Sequence, residues 1–131
     1  MNTIEVRTKT REEFVDLTAE VGRLVAASGI KSGLCVVAVP HTTAGVTINE
    51  NADPDVRADL VMTLRRAVPD ALPYAHGEGN SPAHMKASLV GSSATLLIED
   101  GRLRLGTWQG IFFCEFDGPR ARQAWVQVVG A

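Results

Sequence analysis

At 131 residues, with 45% hydrophobic and 21% charged side chains, the chain has the size and composition of one globular domain with a proper core. A formal net charge of −2 provides no basic field, so extended nucleic-acid binding has no electrostatic support. The apolar runs at 34–39 and 94–98 are far too short to span a bilayer.

Residues 2–9 alternate as a half-exposed strand does. Thr10-Arg-Glu-Glu13 has capping-box spacing and predicts a helix whose apolar face is Phe14, Leu17, Val21, Leu24 and Val25, stopped by Gly29. Leu34–Val39 reads as a strand buried on both faces, Pro40 ends it, and His41–Gly45 is a turn into a second strand, Val46–Glu50. Asp53 and Pro54 open another helix, with Val56, Leu60, Leu64 and Val68 inward and Pro69 forbidding continuation. Ser81 reads as an N-cap and Pro82 as the first residue of a short helix to about Leu89. Strands follow at 94–98, from Leu103 to Thr107, at 109–117 and at 123–129, with turns at Glu99–Arg102 and Gly118-Pro119. Consecutive strands with turn-length connections predict a single α+β domain over 1–131. Its core is an antiparallel-rich sheet or sandwich, with two longer helices and one short one packed on one side. Cys35 and Cys114 sit in apolar runs and read as buried thiols. The N-terminus lacks the charged-then-apolar plan of a signal peptide, and the expected location is the cytoplasm.

The densest chemistry lies in His76-Gly-Glu-Gly-Asn-Ser-Pro-Ala-His-Met-Lys86. Two imidazoles, a carboxylate, an amide, a hydroxyl and an ammonium share eleven residues, and His41-Thr-Thr holds the third histidine. Imidazoles suit zinc and related divalent ions, although no helical ligand ladder such as H-E-x-x-H is present. Lys86, Ser81 and the amides of the helix start could instead hold a phosphate, with Ser92 and Ser93 adding hydroxyls. A capped helix beside a surface loop, with Lys86 a solvated charge, would look the same. Glu115 lies in an apolar strand and needs a partner, Arg102, Arg104, Arg120 or Arg122, unless it belongs to a site. Trp108 reads as a core or interface anchor, or as a platform for a heteroaromatic ring.

Three long blocks, His41–Pro54, His76–Lys86 and Leu105–Arg120, closely resemble the YjbQ-like family, small cytoplasmic proteins often labelled secondary thiamine-phosphate synthases. The resemblance covers essentially the whole chain. It implies an α+β homotrimer with polar pockets near subunit boundaries, and a metal or anion site using His41, His76 and His84 with Asn49, Glu78 and Asn80 close by. The expected enzyme joins a pyrimidine pyrophosphate to a thiazole phosphate. On that expectation Glu78, Asn80 and Lys86 carry the chemistry, and Asn49, Ser81, Trp108 and Gln109 contact substrate. The histidines hold a divalent ion, zinc or magnesium, and no organic cofactor is expected. The alternative is a non-catalytic trimer that retains a metal or a phosphorylated metabolite. A strand rises about 3.3 Å per residue, so His41 and Asn49 cannot share one compact site within a chain unless it bends sharply.

Overall fold

The computed structural model describes all 131 residues. Strand β1 (Asn2–Arg7) is followed by β2 (Glu13–Asp16) and helix α1 (Thr18–Ser28), then by strands β3 (Gly33–Ala38) and β4 (Ala44–Glu50). Helices α2 (Pro54–Ala67) and α3 (Ser81–Val90) come next, before β5 (Ser93–Glu99), β6 (Arg102–Leu103), β7 (Gln109–Glu115) and β8 (Ala121–Gly130). All pairings are antiparallel, in one sheet ordered β1-β8-β3-β5-β6 and another ordered β2-β7-β4.

The two sheets and α1 enclose the larger core, in which Val21 and Val25 of α1 meet Cys35 and Val37, Ile111 and Phe113, and Ala124 and Val126. Strand alternation turns Phe112 and Cys114 to the opposite face of β7, where they join Phe14, Phe116, Ala83 and Ala87 in a second cluster. Leu60, Val61 and Leu64 of α2 pack against that cluster. The expected α+β architecture is therefore present, but the helices cover both faces of the β2-β7-β4 sheet rather than one side. Both cysteines are buried free thiols.

The expected helix from Thr10 is a turn and a strand instead. The capping contact itself forms, since the Glu13 carboxylate accepts the amide of Thr10 at 2.9 Å. Yet Phe14 and Val15 go into register with Cys114 and Phe113, and an extended partner of β7 buries Phe14 better than a helix would. The helix opens later, where Asp16 Oδ1 accepts both the amide (2.9 Å) and the hydroxyl (2.6 Å) of Thr18. Asp53 does cap α2, accepting the Asp55 amide at 2.9 Å. The strand expected through Thr107 is reduced to the two residues of β6.

Four chain segments converge where β3 ends. The amide of Val39 donates to Ser92 O (2.8 Å) and that of Val46 to Gly91 O (3.0 Å). A Cβ on Gly45 would stand 2.5 Å from Gly91 O, so only glycine lets β4 lie this close to the end of α3. This junction seats the His41 turn beside α3.

Candidate functional site

Between that turn and α3 lies a recess of about 490 Å³ lined by His41, Thr42, His84, Ser88, Gly91 and Ser92, among others. His84 also lines a smaller recess with His76, Ser81 and Met85. The rings of His76 and His84 stand 5.4 Å apart and nearly perpendicular. Glu78 lies at the rim, its Oε2 3.9 Å from His76 Nε2, with its side chain 73% exposed. Thus the chain assembles two of the three histidines closely and brings the third to the other wall of a shared cavity.

His41 is held differently. Its Nε2 accepts the backbone amide of Gln123 at 2.9 Å, and its ring stands edge-on to Phe113. Burial and the Arg122 charge keep its pKa below the ordinary histidine value. Thr43, two residues on, is tied by its hydroxyl to Arg122 Nη2 (2.8 Å), and by its carbonyl to the Phe116 amide. Arg122 in turn reaches the fully buried Glu115, Nε to Oε1 at 2.9 Å. The hydroxyl of Thr8 and the amides of Phe116 and Asp117 complete that carboxylate. Burial alone would raise the Glu115 pKa, but the Arg122 and Thr8 hydrogen bonds outweigh it and hold it below the usual range. Glu115 is therefore half of a structural pair, with Arg122, not Arg102, Arg104 or Arg120, as its partner.

Lys86 is neither a solvated charge nor a pocket lining. It is 2% exposed, and its Nζ donates to Glu12 Oε2 at 2.9 Å. Glu12 also accepts from Arg65 Nε at 2.7 Å. Burial pushes the Glu12 carboxyl up, and the hydrogen bonds and charges of Lys86 and Arg65 bring it net below its ordinary value. The start of α3 also departs from expectation. Asn80, not Ser81, precedes the helix, and its carbonyl accepts the amides of Ala83 and His84. Pro82 has no amide, so the helix start offers an anion little beyond the Ser81 N–H. Ser81 itself is 7% exposed. Asn80 Nδ2 donates to Asp117 Oδ2 at 3.0 Å, and its buried Oδ1 has no partner.

The remaining expected contacts lie at the other end of the β2-β7-β4 sheet. Ala44 pairs with Glu115 near His41, whereas Asn49 pairs with Gly110 and Glu50 with Gln109. Five residues of strand separate the two ends, roughly 17 Å. Trp108 is 62% exposed there, and Gln109 Oε1 accepts the Gly106 amide at 2.8 Å. One chain therefore brings together His41, His76, Glu78, Ser81 and His84, ties the Asn80 side chain to Asp117 instead, and leaves Asn49, Trp108 and Gln109 apart from them. Sequence reasoning missed Thr42, Ser88, Glu12 and Asp117. Thr42 and Asp117 were visible as polar neighbours of motif residues, but nothing local marked Glu12 as the partner of Lys86.

Residues 2–131 match the family described as UPF0047 protein YjbQ-like. The chain belongs to that family. It is 52% identical to a UPF0047 protein of Methanocaldococcus jannaschii over 96% of this chain and 91% of that one. It is 48% identical to the UPF0047 protein YugU of Bacillus subtilis over 99% of each. A crystal structure of an uncharacterized conserved YjbQ/UPF0047 protein from Clostridium acetobutylicum superposes with TM-score 0.97 at 50% identity, covering 98% of this chain and 100% of that one. A YbjQ-like protein of unknown function from Sulfolobus solfataricus gives TM-score 0.95 at 33% identity, covering 99% and 96%. The fold is thus the family's. No helix of this YjbQ-like chain is long and apolar enough to cross a membrane.

The donor set bears directly on a metal. No group of three or more His, Cys, Asp or Glu side chains stands together as an ion would require. Catalytic zinc sites use three protein ligands, and here only His76 and His84 converge, with the His41 Nε2 lone pair already engaged. A single chain does not fit a resident catalytic metal.

Proposed function

We propose that this YjbQ-like protein binds and transforms a small phosphorylated metabolite in the recess between the His41 turn and α3. The observation that carries the reading is that His84 belongs to two adjoining recesses, joining the hydroxyl-rich wall of Thr42 and Ser92 to the imidazole of His76. Such a site offers hydrogen bonds to phosphoryl oxygens on one side and a second imidazole on the other. The reaction to test first is thiamine-phosphate synthesis, in which the thiazole nitrogen displaces pyrophosphate from the pyrimidine methylene. In that reaction the residues at hand would orient the leaving group and hold a proton at His84. A divalent ion enters the proposal only as a companion of the phosphate. His76 and His84 would be the residues to hold it, and it would supply neutralising charge to the leaving group.

The proposed assembly is a homotrimer in the cytoplasm. Leu34, Leu97, Val129 and Trp125 are all exposed on the outer face of the β1-β8-β3-β5-β6 sheet, and Leu34 pairs with both Leu97 and Val129. Covering this apolar face with a neighbour removes it from water, and could also bring one subunit's Trp108 and Gln109 near another's histidines. Capture of Lys86 by Glu12 favours a second reading, a non-catalytic binding trimer, because no free cation remains in the recess to stabilise a departing pyrophosphate.

Calorimetric titration with pyrophosphate and with thiazole phosphate, plus and minus magnesium or zinc, tests the first reading alongside an assay for thiamine phosphate. Binding and turnover that both vanish in His84→Ala are expected. Binding without turnover would select the second reading, and absence of binding in the native protein would sink both.

A further inference from the structure

The contact between His41 and Gln123 has a chemical consequence that a surface view of three histidines hides. A backbone amide only donates, so the Nε2 that accepts Gln123 N–H at 2.9 Å must carry a lone pair. In a neutral imidazole the single proton then resides on Nδ1. Protonating the ring would place two donors face to face, and burial with the Arg122 charge opposes it by more than the Glu115 carboxylate favours it. Nδ1 makes no hydrogen bond within the protein, and it is not among the buried atoms left without one, so it is open to solvent. Ser88 spends its hydroxyl proton on the His84 carbonyl at 2.9 Å, whereas the hydroxyls of Thr42 and Ser92 have no partner in the chain.

We propose that His41 is a fixed, neutral hydrogen-bond donor, presenting Nδ1–H to an anionic oxygen of the ligand, and is neither a metal ligand nor a proton acceptor. The ligand class is an oxyanion, phosphoryl or carboxylate, met by Nδ1–H and two hydroxyls without a formal positive charge. Arg122 and Glu115 are positioning residues here, because they pin Thr43 and thereby the turn that carries His41. The inference rests on the recess being the ligand site, and it adds the polarity of one wall of that site.

Nitrogen NMR of the uniformly isotope-labelled native protein, reading both imidazoles and backbone amides, tests it. The expected spectrum has His41 in the Nδ1–H tautomer at neutral pH, with inorganic phosphate or pyrophosphate shifting its Nδ1 signal. Zinc should move His76 and His84 and leave His41 in place. Acetate in place of phosphate tells a carboxylate site from a phosphoryl one. An Nε2–H tautomer, or zinc binding at His41, would overturn the proposal whatever the ligand results. If phosphate, pyrophosphate and acetate all leave His41, His84 and Ser92 unmoved, the donor role falls together with the proposed site. If His84 and Ser92 respond and His41 does not, the donor role alone falls. His41→Ala should weaken phosphate or pyrophosphate binding roughly 10- to 100-fold, the range of a hydrogen bond to a charged group. His41→Asn, whose amide nitrogen can replace Nδ1–H, should recover most of that affinity, and loss equal to that of His41→Ala would count against the donor role.

Discussion

At one end of the β2-β7-β4 sheet, Glu115 is sealed from water, and His41 and Thr43 are tied by hydrogen bonds from Gln123 and Arg122. At the other, the Asn49 side chain bonds only to the amide of its neighbour Glu50, that of Gln109 bonds to a nearby loop, and the Trp108 indole faces solvent. The same two strands, β4 and β7, thus carry a pre-organised end and an open one. Pre-organisation is what a ligand site needs, because geometry fixed before binding does not have to be ordered by the ligand. The open end, with its exposed tryptophan, is where the proposed neighbouring subunit would be detected.

The largest effect should come from breaking the sealed end. Arg122→Met leaves a fully buried carboxylate without its counter-charge, which costs about 3–5 kcal/mol of stability. Urea unfolding of the variant measures it, and a loss below about 1 kcal/mol would mean that Thr8 and the two amides suffice. Lys86→Met should cost less, about 1–3 kcal/mol, because Glu12 keeps its bond to Arg65. Gln109→Ala, at the open end, should stay within about 0.5 kcal/mol.

Acid should loosen the sealed end and the Glu12 pair in a defined order. The folded pKa of His41 lies below 6.5, so below pH 6.5 the unfolded chain takes a proton that the folded chain refuses. Stability from its neutral ring is fully present above that pH and is lost as pH falls toward the folded value. Glu115 and Glu12 are lowered from 4.5, so their contribution is complete above pH 4.5 and is lost as pH falls through their folded values. Urea midpoints followed from neutral pH into acid should show both declines. In His41→Asn the decline that begins at 6.5 should shrink, while the one below 4.5 stays. An unchanged profile in that variant would deny His41 its buried, neutral state.

This contrast also marks what could be read from the chain alone. The strands β3, β5 and β7 were legible from their continuous apolar runs, but only β7 is buried on both faces, whereas β3 and β5 expose Leu34 and Leu97 on the outer side, contrary to the two-face burial expected for Leu34–Val39. The cap of α2 was legible because Asp53-Pro54 acts locally. What could not be read was anything decided across the fold. The Glu13 contact forms as a capping box would have it, yet the segment is a strand because β7 offers Phe14 a place. Lys86 looked like a phosphate ligand because its partner, Glu12, lies 74 positions away. The histidines were legible as a group, but the tautomer of His41 depends on an amide 82 positions distant.

The smallest intramolecular effect, and the most telling for assembly, is expected at Trp108. With 62% of its surface exposed and its neighbours polar, Trp108→Ala should change monomer unfolding by well under 1 kcal/mol. If a second subunit covers the indole, however, the same substitution removes a large aromatic contact from an interface, where truncation commonly costs 2 kcal/mol or more. Sedimentation across a dilution series separates the cases. A trimer whose dissociation moves to higher concentration by about tenfold or more per interface would show that Trp108 is completed by a neighbour. If pyrophosphate affinity falls as well, the indole of one subunit reaches the recess of another. An unaltered assembly would leave Trp108 a solvated side chain, and confine the site to the His41 end of a single chain.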